Sequence, residues 1–479
     1  MSDSHQLKQL VNSLTPREKS NFTNTISGKG IVQKRIKNIF DNLVNAKVPL
    51  MKELDRREYY RHKLFLKRQL LAFLLNDYES GMGFEAELHR NIRLSTYLIS
   101  RDQFEMAFEL LDETKRKADE FDFHMVILEC LRLEGFLIRK FLKADPSLEM
   151  SRIFHEKKRR LTMLEYENMV SYNHDKLFIQ IQNGKVEIQA QIEVPAEYLT
   201  HTCQRLLLSD KARLAKFNNE KAENKKYRKQ IVELFEEKPL RKEIFPTIYL
   251  SILSNYASAL DSSKEADIML EIIDKIKHFK PSGEFEKVSS FQLVRYLELL
   301  VFIGQNEFKK ASALEAETER KLGNYVGKLD KTFEISIYFN LAASLWINME
   351  LAKSIKWIQK IIKYKHFEAR TDVQRFAYVF AALLYADTKN AKELEKLCQL
   401  AYKPGRFKVE IPQDYCKLIQ LIAKIEEGSK KVSTESYLHQ MEEIIRSDGF
   451  YKLVGLDELK LWIMHRRTGK SLETLAKEM

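Results

Sequence analysis

Two long intervals of this chain contain no proline, one between Pro49 and Pro146 and one between Pro281 and Pro404. Apolar residues recur in them at spacings of three and four, the period of an α-helix. Glycine is also scarce, with 15 glycines and 9 prolines among 479 residues. A β-sandwich, a collagen-like chain and a Gly/Pro-rich disordered chain all need more of these residues. The sequence therefore predicts an all-α protein of about twenty helices.

The charge of the chain is basic and unevenly distributed. The whole sequence holds 80 Lys and Arg against 68 Asp and Glu, and residues 1–80 alone hold 15 Lys and Arg against 8 acidic residues. This asymmetry favours an acidic partner such as nucleic acid, the ribosome, a membrane surface or an acidic protein. The alternative interpretation is a solvated helix surface of mixed charge, which is the commoner origin of such a pattern.

Cysteine usage and hydropathy predict the compartment. The four cysteines are far apart, lie in apolar helical contexts and form no C-x-x-C pair. We expect buried free thiols in a reducing environment. The amino-terminal residues lack the apolar segment of a signal peptide. The most apolar run, Phe376–Ala386, is shorter than the roughly 20 residues that cross a bilayer. We therefore expect a cytoplasmic protein without an integral membrane segment. The cysteines are Cys130, Cys203, Cys398 and Cys416.

Residues 177–194 differ from the helical pattern around them. Asn183-Gly184 stands between two stretches in which apolar residues alternate, and this arrangement is typical of a β-hairpin. The sequence favours a small hairpin inserted in the helical body. A helix broken at Gly184 is the alternative, because Leu177 and Ile181 also fit one helical face.

Several turns carry the spacing of helical repeats. The polar residues Asn348–Glu350 divide two apolar segments, which predicts two antiparallel helices joined by a tight turn. Phe104 precedes Ala107, and Phe308 precedes Ala311, by three residues. Leu94 lies 13 residues before Ala107, and Leu341 lies 13 residues before Ser354. A small residue early in the second helix allows the two helices to approach closely, so these residues are predicted to be buried.

These motifs resemble the tetratricopeptide-repeat-like proteins of about 500 residues found in Bacteroidota. The segment from Leu10 to Lys19 is similar to the opening motif of that family. Residues 94–134 are similar to its first repeat, and residues 338–385 are similar to its late repeats. The resemblance implies a right-handed α-solenoid of antiparallel helix pairs with a groove that binds a peptide. The family supplies no catalytic residues, and its motifs specify packing.

No motif for catalysis, for a cofactor or for a metal stands out. Gly323–Lys328 has too few residues between its glycines for a phosphate loop, and no Ser or Thr follows it. His155-Glu156 lacks the second histidine of a zinc-binding helix. We therefore predict a protein that is not an enzyme and holds no cofactor.

Two basic clusters are the candidate contact residues. On a helix, Arg56, Lys63 and Lys67 share one stripe, and a second stripe lies about 120° away. Lys and Arg on one helix face can contact phosphates. The alternative is a solvated face, since acidic residues lie among these basic ones. The complete predicted patch is Arg56, Arg57, Arg61, Lys63, Lys67, Arg68, Lys157, Lys158, Arg159 and Arg160.

These observations predict three segments, namely a basic helical region (1–80), a tetratricopeptide-like solenoid (81–420) and a helical cap (421–479). The leading functional hypothesis is a scaffold or adaptor that binds a peptide or protein in the groove of the stack. The alternative is a nucleic-acid- or ribosome-associated protein that uses the basic amino-terminal region.

Overall fold

The fold is all-α in the computed structural model. The structure describes every residue of the chain except residues 1–6, 9, 13, 15, 28–29, 45–55, 82, 141–144, 187–191, 282, 365–367, 404, 406, 429–431 and 447–453. The described residues form 23 α-helices and one short 3-10 helix, and no strand occurs among them. The all-α prediction is therefore confirmed.

The chain divides into two compact units, Met1–Leu207 and Leu208–Met479. This division differs from the three predicted segments, and the predicted boundary after residue 420 lies inside a helix. The helices that begin in the first unit are α1 (Pro16–Ile26), α2 (Ile31–Val44), α3 (Arg56–Gly81), α4 (Gly83–Ser100), α5 (Phe104–Glu120), α6 (His124–Lys140), α7 (Pro146–Gln182) and α8 (His201–Phe217). The 3-10 helix Ala196–Tyr198 precedes α8.

The second unit continues with α9 (Lys221–Glu236), α10 (Arg241–Ile244), α11 (Pro246–Ala257), α12 (Ala266–His278), α13 (Glu284–Gly304), α14 (Phe308–Ala313), α15 (Glu315–Asn324), α16 (Lys331–Ile347), α17 (Leu351–Ile362), α18 (Thr371–Asp387), α19 (Ala391–Ala401), α20 (Gln413–Glu427), α21 (Thr434–Arg446), α22 (Leu456–Thr468) and α23 (Leu472–Glu478). Consecutive helices pack in pairs, and α13, α16, α18 and α20 also pack on one another in that order. The second unit therefore contains four helices, each of which covers part of the apolar surface of the next one in this order.

The predicted β-hairpin is wrong in its first half, because residues 177–182 belong to α7. This helix starts at Pro146, and the side chain of Asp145 accepts the backbone N–H of Leu148 at 3.0 Å. The apolar residues near its end fit the helical period as well as the strand period, so the helix that is already formed continues through them. Gly184, at φ +67°, then ends it as a left-handed cap. Residues 187–191 of the expected second strand lie outside the described residues.

Six connections between helices use the same three-residue turn. Its middle residue has a φ of 53–63°, and the residue after it donates its backbone N–H to a carbonyl five residues earlier. The N–H of Glu350, for example, reaches the carbonyl of Leu345 at 2.8 Å. This bond closes the helix end as in a Schellman motif, but without glycine. The predicted turn at Asn348–Glu350 is confirmed by the end of α16 and the start of α17. The six middle residues are Asp102, Asp122, Asn219, Asn306, Met349 and Lys389.

The predicted small residues lie where paired helices meet. Ala107, Ala311 and Ser354 are fully buried, and the Ser354 hydroxyl donates to the carbonyl of Ala342 on the paired helix at 2.7 Å. Leu341 is buried as predicted. The prediction for Leu94 is wrong, since this side chain is 47% exposed. In α4 the buried stripe is instead formed by Leu88, Ile92 and Ser95, and position 94 falls about 200° from position 92.

Helices α16 and α18 are buried on all sides. In each of them 13 of 17 residues are buried. A helix that is apolar all round must be covered all round. The carboxy-terminal helices α22 and α23 supply part of this cover, since Trp462 and Leu475 belong to the same core as Trp346 and Phe376. Within the described part of the second unit, most of the surface of α16 and α18 is therefore covered.

One carboxylate joins the carboxy-terminal helices to this core. Asp387, at the end of α18, accepts the indole N–H of Trp346 at 2.8 Å and that of Trp462 at 2.9 Å. Gly455, just before α22, lies against the ring of Phe376, where a Cβ atom would come within 2.1 Å of the ring. The carboxy-terminal helices are thus fixed by specific contacts as well as by apolar burial.

Asp387→Ala leaves two indole N–H groups without this acceptor, and we expect it to destabilise the second unit by about 2–4 kcal/mol. The three tryptophans of the chain, Trp346, Trp357 and Trp462, all lie in that unit, so urea unfolding followed by tryptophan fluorescence reports on it alone. Glu410→Ala, at a side chain that is 94% exposed, is the control and should change the free energy by less than about 0.5 kcal/mol. An unchanged midpoint for Asp387→Ala would contradict the role of this carboxylate.

Burial raises the pKa of Glu458, on α22, to about 7. The folded state then holds a proton that the unfolded chain releases near its ordinary pKa of 4.5, so stability falls as pH rises from about 4.5 to 7. We expect the free energy of unfolding of Glu458→Gln to equal that of the wild type at pH 4 and to be higher at pH 8, by at most about 3 kcal/mol. Urea midpoints of both proteins at each pH measure the difference. A gain of equal size at both pH values would contradict the titration.

Candidate functional site

Helix α7 has two different faces. Its 37 residues extend over about 55 Å. One face packs against the body of the first unit and buries Ile153, Met163 and Val170. A helix that only supports the fold normally has polar residues on the face opposite its buried one. The residue types on the exposed face of α7 therefore indicate whether the helix has a further role.

The opposite face carries large apolar side chains in solvent. Six residues of this face lie within about 40° of one another around the helix axis; one is Asn168 and the other five are large and apolar. Their exposed fractions run from 39% to 67%, with Phe154 at 63% and Tyr172 at 67%. We call this surface the apolar stripe, which consists of Met150, Phe154, Leu161, Tyr172 and Ile179. A series of exposed apolar side chains along one helix face is a surface that a partner can cover.

The basic run Lys157–Arg160 divides around the helix. Lys157 and Lys158 lie on the two sides of the apolar stripe, about 60° and 40° from Phe154. Arg159 faces the other way, toward α5, where it lines a cleft. Arg160 is 5% exposed and bonds Asp119 at 2.6 Å and Glu156 at 2.7 Å. Three of the four predicted contact residues are therefore accessible, whereas Arg160 is buried and forms structural ion pairs.

The cleft between α5 and α7 has a volume of about 500 Å³. On α6, Glu134 is fully buried and accepts hydrogen bonds from Lys115 and from Arg152, the latter at 3.4 Å. Arg159 reaches its carboxylate partner only at 3.8 Å. The cleft thus combines fixed ion pairs with cations at its rim. Its lining residues are Lys115, Arg116, Asp119, Arg152, His155, Glu156, Arg159 and Arg160.

The predicted patch on α3 is divided in the same way. Arg57, Arg61 and Arg68 are exposed and lie within about 40° of one another. The other predicted stripe contains Lys63, which is 7% exposed, and Lys67, which is half-buried. That stripe therefore faces the body of the protein, and Lys63 does not form a surface contact. Arg56 starts the helix, but its side chain lies outside the described residues. The exposed aromatic rings of Tyr60 and Phe65 flank the three arginines.

The cysteines are free, as predicted, and burial raises the pKa of all four thiols. Cys130, Cys203 and Cys416 are buried and Cys398 is half-buried. The pKa of Cys130 rises to about 12. Since the thiolate is the reactive form, these thiols are inert near neutral pH.

A buried polar cluster lies beside the cleft and joins α6, α7 and α8. Thr200 donates to Glu167 at 2.7 Å, and the Nε2 atom of His124 lies 3.7 Å from the same carboxylate. Burial lowers the pKa of His124 and raises that of Glu167, which favours the neutral form of both. Neutral groups at this position stabilise the packing of the helices.

Within the described part of the chain, no three His, Cys, Asp or Glu side chains are grouped as metal ligands. None of the described helices has the length and apolar character needed to cross a membrane.

The sequence reasoning missed the apolar stripe and the α5 side of the cleft. A signal for the stripe was present, because Phe154 and Leu161, and again Tyr172 and Ile179, are spaced by seven residues on a face separate from the buried one. The cleft had no such signal, since Arg116 and Arg159 meet only through the packing of α5, α6 and α7. Comparisons with protein-family models, with curated proteins and with solved structures find no match to this chain.

Proposed function

We propose that this chain is a non-enzymatic adaptor that binds a segment of another protein through the apolar stripe of α7. In this proposal the helix pairs form a tetratricopeptide-like right-handed solenoid, and their repeated turns support it. The observation that carries the proposal is the exposure of five large apolar side chains along one face of a long helix.

Burial of the stripe supplies the binding free energy. Covering one large apolar side chain contributes about 1.5–3 kcal/mol. Because the five side chains of the stripe are only 39–67% exposed, covering them contributes on the order of 5 kcal/mol before the costs of association and ordering are subtracted. The length of the stripe, from Met150 to Ile179, matches a helix that lies along α7 in the manner of helix-in-groove recognition.

Charge indicates the chemistry of the partner. Lys157 and Lys158 lie on opposite sides of the stripe, so acidic residues on both edges of an amphipathic partner helix would meet them. The partner helix would therefore be acidic where it meets Phe154 and Leu161, whereas the exposed Glu165 and Asp175, which flank the stripe near Tyr172, would meet basic residues.

The triple variant Phe154→Glu, Leu161→Glu and Tyr172→Glu should lose the partner, because it introduces charge where apolar surface must be buried. Affinity capture from the lysate of the source cells, with quantitative mass spectrometry, should show a protein retained by the wild type and depleted at least about tenfold by this variant.

The matched control places three glutamates at exposed apolar positions of the second unit, Leu240, Phe285 and Val326. It should retain the same protein, and circular dichroism should show both variants folded. Equal retention by the stripe variant would refute the proposal. Self-association of the wild type, detected by light scattering and abolished by the stripe variant, would show that the partner is a second copy of this chain.

The exposed face of α3 favours a second candidate, a nucleic-acid- or ribosome-associated protein. Three arginines on one face, with Tyr60 and Phe65 beside them, fit contacts to phosphates and stacking on bases. This function uses a different surface from the apolar stripe, so the two candidates can be separated by mutation.

If α3 binds RNA, the variant Arg57→Glu, Arg61→Glu and Arg68→Glu should weaken retention on RNA. The salt dependence of log K should become shallower by about three. Binding to single-stranded RNA by fluorescence anisotropy between about 50 and 200 mM salt measures both effects. The control reverses three exposed lysines of the second unit, Lys264, Lys309 and Lys392, and keeps the net charge equal. Identical binding by the two variants would exclude α3 as the RNA surface.

A further inference from the structure

The cleft between α5 and α7 is separate from the apolar stripe. Its α7 residues lie about 100–240° around the helix from Phe154, so a ligand in the cleft and a partner on the stripe do not compete for surface. The volume of about 500 Å³ is within the range of small-molecule sites.

Most charges inside the cleft already have partners. Lys115 and Arg152 share the buried carboxylate of Glu134. Arg160 is held between Asp119 and Glu156. These ion pairs link α5, α6 and α7 and fix the walls of the cleft, so a ligand needs to order only the exposed side chains that bind it.

Two guanidinium groups remain weakly paired, one on each wall. Arg116 of α5 is 73% exposed in its side chain and lies 3.8 Å from Asp112. Arg159 of α7 is 49% exposed and lies 3.8 Å from Glu156. Both distances exceed the 2.7–2.9 Å of a charge-assisted hydrogen bond, so most of the donor capacity of these arginines is open.

The lining also limits the kind of ligand. All eight lining residues are charged or histidine, and five of them are lysine or arginine. This density of cationic side chains favours an anionic ligand. The planar fork of arginine matches phosphoryl oxygens with two parallel hydrogen bonds, and a second arginine on the facing wall favours a second phosphoryl group.

We propose that this cleft binds a small polyanion with at least two phosphoryl groups, held between Arg116 and Arg159. Inorganic polyphosphates and compact sugar bisphosphates are two classes of compound that have this chemistry.

Isothermal titration calorimetry of the full chain with tripolyphosphate and, separately, with fructose 1,6-bisphosphate tests the proposal and distinguishes the two sources. The wild type should bind at least one of them at a single site. Arg116→Ala with Arg159→Ala should weaken that binding at least about tenfold, since each lost charged hydrogen bond accounts for roughly that factor. Circular dichroism verifies that the variants, altered at exposed side chains, are folded.

The control is Lys157→Ala with Lys158→Ala, which removes the same net charge from two positions of α7 that do not line the cleft. It should bind the polyanion within about twofold of the wild type. Equal weakening by both double variants would show attraction to net charge only and would overturn the proposal, as would no binding of either probe to the wild type. Partner capture through the apolar stripe should survive loss of Arg116 and Arg159, so failure of the cleft and failure of the adaptor function are distinguishable.

Discussion

The turn with a left-handed middle residue is the constraint on which the helix pairs depend. A left-handed residue other than glycine costs about 1–2 kcal/mol. Asp and Asn lower this cost at four of the six turns, but Met349 and Lys389 do not. The cost is offset because the turn places a small residue such as Ala107 or Ser354 against the preceding helix. Close approach of the two helices then creates the apolar face that the next pair must cover.

The two units complete their apolar surfaces differently. In the second unit the carboxy-terminal helices return to the core, and Asp387 binds the indoles of Trp346 and Trp462. In the described residues, α16 and α18 are buried over most of their surface. In the first unit α7 packs through one face only, and its other face keeps Phe154 and Tyr172 in solvent. This difference is the reason that the proposed partner surface lies on α7 and not in the inner groove expected from helical repeats.

The helical class and the positions of several turns were predictable because they depend on local residue types. Spacing alone indicated the break at Asn348–Glu350 and the buried position of Ala107. The hairpin failed because strand and helix periods coincide over residues 177–182, and only the preceding helix decides between them. The burial of Arg160 was not predictable, since its partner Asp119 comes from another helix. Likewise, the cleft exists only after three helices pack, so no spacing in the sequence encodes it.

The apolar stripe is exposed in the free chain, and the proposed complex would cover it. Hydroxyl-radical footprinting read by mass spectrometry measures the exposure of these side chains directly. In the purified chain, Phe154 and Tyr172 should oxidise as fast as Phe285, which is 62% exposed. In the partner-bound chain they should be protected several-fold while Phe285 is unchanged. Protection of Phe154 and Tyr172 already in the free chain, or none in the complex, would contradict the account.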